Sequence, residues 1–184
     1  MINQLRSAPN LLTLLRLLFI PFVVIAVQQH LYMWALGLFV VAGITDGLDG
    51  LLARLFNQKT VLGQYLDPIA DKLLLSTMFL VLSFFHQIIR WPVTILVFSR
   101  DILIVIVCAI LYATGVMKVF RPSWLGKANT VAQIVFACVV LGSIGLNHDM
   151  PTLTVILMGL VAILTLLSVA AYVAEWVRHM NTAD

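Results

Sequence analysis

A chain of 184 residues in which 62% are hydrophobic and only 10% charged departs from a soluble domain, which is about a quarter charged and about half apolar. That balance excludes an ordinary cytosolic globule, a disordered chain and a disulfide scaffold. The net charge of +3 is small, reports membrane topology and calls for no nucleic-acid partner.

The apolar residues come in runs long enough to cross a bilayer, which takes about 20 residues per helix. Spans are expected over residues 10–28, 32–56, 62–85, 91–114, 123–146 and 151–178. The reading is one all-α integral membrane domain over 1–184, with six transmembrane helices and short loops. The separators are Gln28-Gln29-His30, Asn57-Gln58-Lys59-Thr60, His86-Gln87, the stretch from Gly115 to Pro122, and Asn147-His148-Asp149. Pro92, Pro122 and Pro151 stand at helix starts, where a missing N–H costs nothing. Pro21 and Pro68 fall inside spans and are expected to kink them. Arg16 interrupts the first apolar stretch and no small-residue cleavage site follows, so that span reads as a mature helix. Cys108 and Cys138 lie mid-run and read as small buried hydrophobes, with a redox or metal role as the alternative.

Basic residues near the span ends set the orientation. Arg6, Arg54, Lys59, Lys118, Arg121, Lys127 and Arg178 flank the N-terminus, the second and fourth loops and the C-terminus, while the other loops carry only Arg90. By the positive-inside rule both termini face the cytoplasm. Trp34, Trp91, Trp124 and Trp176 lie near span ends, as aromatic-belt residues do.

The acids are concentrated. Of eight in the chain, Asp46, Asp49, Asp67 and Asp71 fall within 26 residues. On helices, Asp46 and Asp49 are spaced i, i+3 and Asp67 and Asp71 i, i+4, so each pair shares a face. The short turn between spans 2 and 3 makes those helices antiparallel neighbours and puts all four acids toward the cytoplasmic end, with Asp71 about 13 Å along its helix. A mid-membrane Asp costs about 2.5–3.5 kcal/mol before any mutual repulsion. Pairing with Arg16, Arg54 or Lys72 would relieve this, as a structural ion-pair network. Divalent cations do it better: hard oxygen ligands with no nearby His or Cys suit magnesium, manganese or calcium. Gly50 and Gly63 each stand four residues from an aspartate and leave room for a phosphate or ribose to approach.

These residues resemble a known family. Asp46-x-x-Asp49-Gly50-x-x-Ala53-Arg54, eight residues, then Gly63-x-x-x-Asp67-x-x-x-Asp71 is similar at every fixed position to the signature of the CDP-alcohol phosphatidyltransferases. The resemblance implies a membrane-embedded homodimeric enzyme that transfers a substituted phosphate from a CDP-linked donor, here CDP-diacylglycerol, to an alcohol. It also implies that the aspartates hold two Mg2+ or Mn2+ ions, that Asp71 is the general base, and that Asp49, Gly50, Ala53, Arg54 and Gly63 hold the CDP moiety. Two cations can polarise a pyrophosphate and neutralise charge on departing CMP, while an acceptor hydroxyl attacks in line. No Ser-His or Cys-His pairing is suggested nearby, so direct displacement is expected.

The acceptor should meet basic and polar groups outside the signature. Pro9 to Arg16 is similar to the first-helix segment of the glycerophospholipid branch of the family. Ser123, Lys127 and Thr130 form an i, i+4, i+7 stripe, and Arg16, Arg100, Arg121, Ser123, Lys127 and Asn129 are the candidate acceptor ligands. Lys127 also reads as a plain inside-face cation, and Arg100, an intramembrane arginine, needs either an acid partner or a substrate phosphate. Ser99-Arg100-Asp101 and Gly126-Lys127-Ala128-Asn129-Thr130-Val131-Ala132-Gln133 resemble the S/G-R-D and S-K-x-N-T-x-x-Q segments of eukaryotic-type cardiolipin synthases. Gly126 departs toward the bacterial phosphatidylglycerophosphate synthases. The expected acceptor is therefore phosphatidylglycerol, giving cardiolipin; the alternative is glycerol 3-phosphate. A small cation transporter is a further alternative, but the paired discontinuous helices of two related halves are not visible. His30, His86 and His148 fall in the three loops expected outside; they read as exposed loop residues, with an outer metal site as the alternative. A bacterial inner membrane is the expected location.

Overall fold

The computed structural model describes the backbone of residues 8–55, 61–113 and 124–181, and side chains within 14–45, 72–106 and 124–174. Among the described residues there are six helices and no strand: α1 Ala8–Gln28, α2 Tyr32–Leu55, α3 Val61–Phe84, α4 Trp91–Ala113, α5 Trp124–Gly145 and α6 Pro151–Asn181. Polar or proline punctuation stands at each described boundary. Pro92 and Pro151 sit in first turns, where the absent N–H is one of the four that have no intrahelical partner. Helix α1 runs on through Pro21, where the missing N–H removes one i→i−4 bond.

The chain divides into two compact units, Met1–Ile88 with Cys138–Asp149, and Ile89–Ala137 with Met150–Asp184. In the first, α1 packs against both α2 and α3, burying Val23, Val27, Ala35, Phe39, Leu75, Met78 and Phe79. The end of α5 reaches the start of α2 in this unit: a Cβ on Gly145 would lie 2.7 Å from Met33 Sδ and 3.2 Å from its backbone nitrogen. A side chain there would have to displace Met33, so the close approach favours glycine. In the second unit α4 packs against α6.

Three connections turn through left-handed residues that are not glycine: His30 at φ 61°, Gln87 at 49° and Asn147 at 51°. At two of them the amide five residues on closes the helix end, Leu31 to the Ala26 carbonyl at 2.8 Å and His148 to that of Ser143 at 2.9 Å. This is the Schellman arrangement, usually made by glycine.

Polarity is distributed the reverse of a water-soluble core. Leu18, Ile44, Ile95, Ile156 and Ile163 are exposed, while Arg16, Arg100, Asp101, Asn129, Gln133, Thr165 and Ser168 are buried. Among the described residues, Trp124–Gly145 and Pro151–Ala174 are long and apolar enough to cross a membrane.

Candidate active site

The four aspartates divide between two facing helix ends in sequence. Asp46 and Asp49 belong to the C-terminal part of α2, and Asp67 and Asp71 to the N-terminal part of α3. The helical backbone keeps each pair on one face, and α1 is the common neighbour of both helices. The side chains of Asp46, Asp49, Ala53, Arg54, Asp67 and Asp71, and positions Gly50 and Gly63, lie outside the described side chains, as does the turn at Asn57–Thr60. A donor set of four carboxylates would suit Mg2+ or Mn2+, whereas zinc and copper favour imidazole and thiolate. Among the described residues no group of three His, Cys, Asp or Glu gathers as a rival ligand set.

The second unit carries a buried polar seam on α4, α5 and α6. Arg100 is 2% exposed. Its Nη1 donates to Asp101 Oδ1 at 2.6 Å and its Nε to Ser168 Oγ at 3.3 Å. Ser168 in turn donates to the Thr165 carbonyl at 2.8 Å. The acid partner expected of an intramembrane arginine is thus its own neighbour in sequence, which offsets its charge in place.

Thr165 Oγ1 lies 2.7 Å from the Val161 carbonyl and 3.0 Å from the Asn129 side-chain oxygen position. A hydroxyl has one proton and cannot donate to both. The shorter bond takes it. The Asn129 amide is then turned so that Nδ2 donates to Thr165 Oγ1 and Oδ1 is left open; amide orientation follows the network. One turn further along α5, Gln133 is fully buried, and neither end of its amide has a hydrogen-bond partner among the described residues. The seam therefore offers open amide groups beside an arginine whose charge is already met. That combination accepts and donates hydrogen bonds without adding net charge, the chemistry of a hydroxyl-bearing ligand.

The other candidates are dispersed. Arg16 is buried on α1. Lys127 is exposed, its Nζ 5.4 Å from the centroid of the exposed Trp124 ring, a cation–π distance. Thr130 Oγ1 donates back to the Gly126 carbonyl at 3.1 Å, and Ser99 Oγ to that of Leu96 at 2.9 Å. Arg121 and Ser123 lie outside the described residues. Gln133 entered the sequence reading only as the last residue of a family-like segment, and Thr165 and Ser168 not at all; the structure adds all three to this seam. The signal was present in the i, i+4 spacing of Asn129 and Gln133 and the i, i+3 spacing of Thr165 and Ser168.

The family model described as CDP-alcohol phosphatidyltransferase matches residues 6–177. The chain is 34% identical over 158 residues to the cardiolipin synthase (CMP-forming) of Rattus norvegicus, covering 77% of this chain but 52% of that protein, about half its length. It is 36% identical over 174 residues to the CDP-diacylglycerol–glycerol-3-phosphate 3-phosphatidyltransferase of Haemophilus influenzae, covering 90% of this chain and 91% of that one. The enzyme of the same name from Salmonella choleraesuis is 38% identical over 137 residues, 70% of this chain and 73% of its own.

Proposed function

The chain belongs to the CDP-alcohol phosphatidyltransferase family, a membrane-integral family of phospholipid biosynthesis, and from that premise we propose that it transfers the phosphatidyl group of CDP-diacylglycerol to phosphatidylglycerol, releasing CMP and forming cardiolipin. The reaction class rests on the aspartate signature, which falls on the ends of α2 and α3 that the sequence joins by a short turn. Asp46, Asp49, Asp67 and Asp71 would hold two Mg2+ or Mn2+ ions, which when bound supply Lewis-acid polarisation of the pyrophosphate. Asp49, Gly50, Ala53, Arg54 and Gly63 hold the CDP moiety. Asp71 takes the proton of the acceptor hydroxyl, that oxygen forms a bond to the phosphatidyl phosphorus, and the bond from phosphorus to the CMP oxygen breaks. No covalent enzyme intermediate is involved.

One observation carries the acceptor. The buried seam pairs Arg100 with Asp101 and otherwise presents the neutral amides of Asn129 and Gln133. Phosphatidylglycerol brings a singly charged diester and a glycerol end with two hydroxyls, which such a seam suits. A phosphomonoester close to doubly charged favours clustered, unmet cations instead. The second reading, glycerol 3-phosphate, is supported by the similarity to the Haemophilus and Salmonella enzymes. Six membrane spans, a homodimer, cytoplasmic termini with the aspartates on the same side, and a bacterial inner membrane complete the proposal.

The test is to offer the purified protein labelled CDP-diacylglycerol with each acceptor separately. Phosphatidylglycerol should drive CMP release and yield cardiolipin. Release driven by glycerol 3-phosphate, with phosphatidylglycerol inert, would replace the first reading by the second.

A further inference from the structure

Two histidines that the sequence places 56 residues apart, His30 and His86, converge on one phenol. His30 follows α1, Tyr32 opens α2 and His86 follows α3. Tyr32 Oη lies 3.0 Å from His30 Nδ1 and 3.1 Å from His86 Nδ1. The imidazole centroids are 4.8 Å apart, edge to face. His86 Nε2 lies 3.0 Å from the Val27 carbonyl, which can only accept, so Nε2 carries the proton and Nδ1 presents its lone pair. Tyr32 donates to that lone pair, and its oxygen accepts from His30 Nδ1–H.

We propose that His30 Nδ1, His86 Nδ1 and Tyr32 Oη form a second metal site, for a borderline transition cation such as Zn2+, separate from the aspartate centre. Three features support it. A ligating imidazole ordinarily donates its other N–H to a backbone carbonyl or carboxylate, and His86 already does so to Val27. The spacings of 3.0 and 3.1 Å approach the ligand-to-ligand edge of a tetrahedral zinc site, roughly 3.3 Å for metal–ligand distances near 2.0–2.1 Å. On the two edges that include Tyr32 Oη, capture of a cation asks for a lengthening of only a few tenths of an ångström. His30 is exposed, leaving a fourth position for water.

On binding, His30 passes to its Nε2–H tautomer and Tyr32 releases its proton to solvent, so one proton leaves per metal. The aspartates cannot be the ligands of this site. Tyr32 and Asp46 are separated by 14 residues of the continuous helix α2, about 21 Å at 1.5 Å per residue. Ligand softness separates the two as well, since imidazole suits zinc and carboxylate alone suits magnesium.

The experiment is a Zn2+ titration of the detergent-purified protein in excess Mg2+, with His30→Gln, His86→Gln and Tyr32→Phe alongside. One zinc equivalent of micromolar affinity should persist in the wild type and weaken at least about 10-fold in each histidine variant. The wild type should show a tyrosinate difference spectrum on zinc addition, absent in Tyr32→Phe, while CMP release stays unchanged in all three. Should a histidine variant misfold, Co2+ added to the wild type must still give tetrahedral d–d absorption. Absence of a zinc equivalent under Mg2+, zinc affinity indifferent to both histidines, or only octahedral Co2+ would overturn the site.

Discussion

Gln133→Met should make the protein more stable and a poorer enzyme. Gln133 is fully buried with neither amide end partnered among the described residues, and methionine is close to it in shape, unbranched and without polar atoms. A buried unpartnered polar group costs about 1–3 kcal/mol, although side-chain hydrogen bonds inside membranes average nearer 0.6 kcal/mol. Taking about 1 kcal/mol for each end, removal stabilises the substrate-free protein by about 2 kcal/mol. That should read out as a raised Tm. In the proposed acceptor role the same amide makes two bonds of about 1 kcal/mol each to acceptor hydroxyls, about 2 kcal/mol of acceptor recognition. Its loss lowers kcat/KM for phosphatidylglycerol close to 30-fold, at about 1.4 kcal/mol per decade, and leaves the KM for CDP-diacylglycerol unchanged. Thermal unfolding in detergent and steady-state CMP release measure the two arms. A variant less stable than the wild type, with acceptor kinetics intact, would show that the amide has a structural partner and would refute the reasoning.

Asp71→Asn removes the proposed base while keeping its shape, so CMP release should fall at least about 100-fold. Donor binding should survive better there than in Asp46→Asn or Asp67→Asn, and EDTA should silence the wild type; appreciable turnover in Asp71→Asn would contradict the assigned role. Asp101→Asn leaves a buried guanidinium without its carboxylate and should cost about 3 kcal/mol, read as a lower Tm that Arg100→Gln in the same chain partly restores. Gly145→Ala must displace Met33 and should lower Tm by a few degrees, as overpacking costs about 1 kcal/mol or more. Gly37→Ala meets nothing within 4 Å and should be neutral or stabilising by up to about 1 kcal/mol; equal effects at the two glycines would contradict the close approach at Gly145. Single cysteines at Asn57 and Asp149, in a background lacking Cys108 and Cys138, should label from the cytoplasmic and outer sides respectively, and the reverse pattern would invert the orientation.

The helix ends were readable because the punctuation is chemical. Pro92 and Pro151 sit in first turns, and the polar runs at Gln28 to His30 and Asn147 to Asp149 interrupt apolar segments, so at the helix ends that described residues border (28, 32, 84, 91, 145 and 151) the expected and observed positions differ by at most one residue. The family was readable because eight residues stand at fixed spacing. Partners distant in sequence were not. The bond between Thr165 and Asn129 spans 36 positions and that between Arg100 and Ser168 spans 68; no local pattern encodes such pairings. The loop histidines were read as exposed residues, a description that still fits His30 and His148, while His86 is half-buried against Tyr32. Its partner lies 54 positions away, and only the packing of α1 against α2 and α3 brings those helix ends together.

The exposed isoleucines and leucines and the buried arginine, amides and hydroxyls set the thermodynamic character of the protein. In a membrane-integral protein, separating the helices moves apolar side chains from protein into hydrocarbon, not into water. The large positive heat-capacity change of ordinary unfolding comes from hydrating apolar surface, so here it should be small. The free energy of helix association then varies almost linearly with temperature, without the pronounced dome of a soluble domain. Cold should leave the bundle intact, since no hydration-driven term fades on cooling.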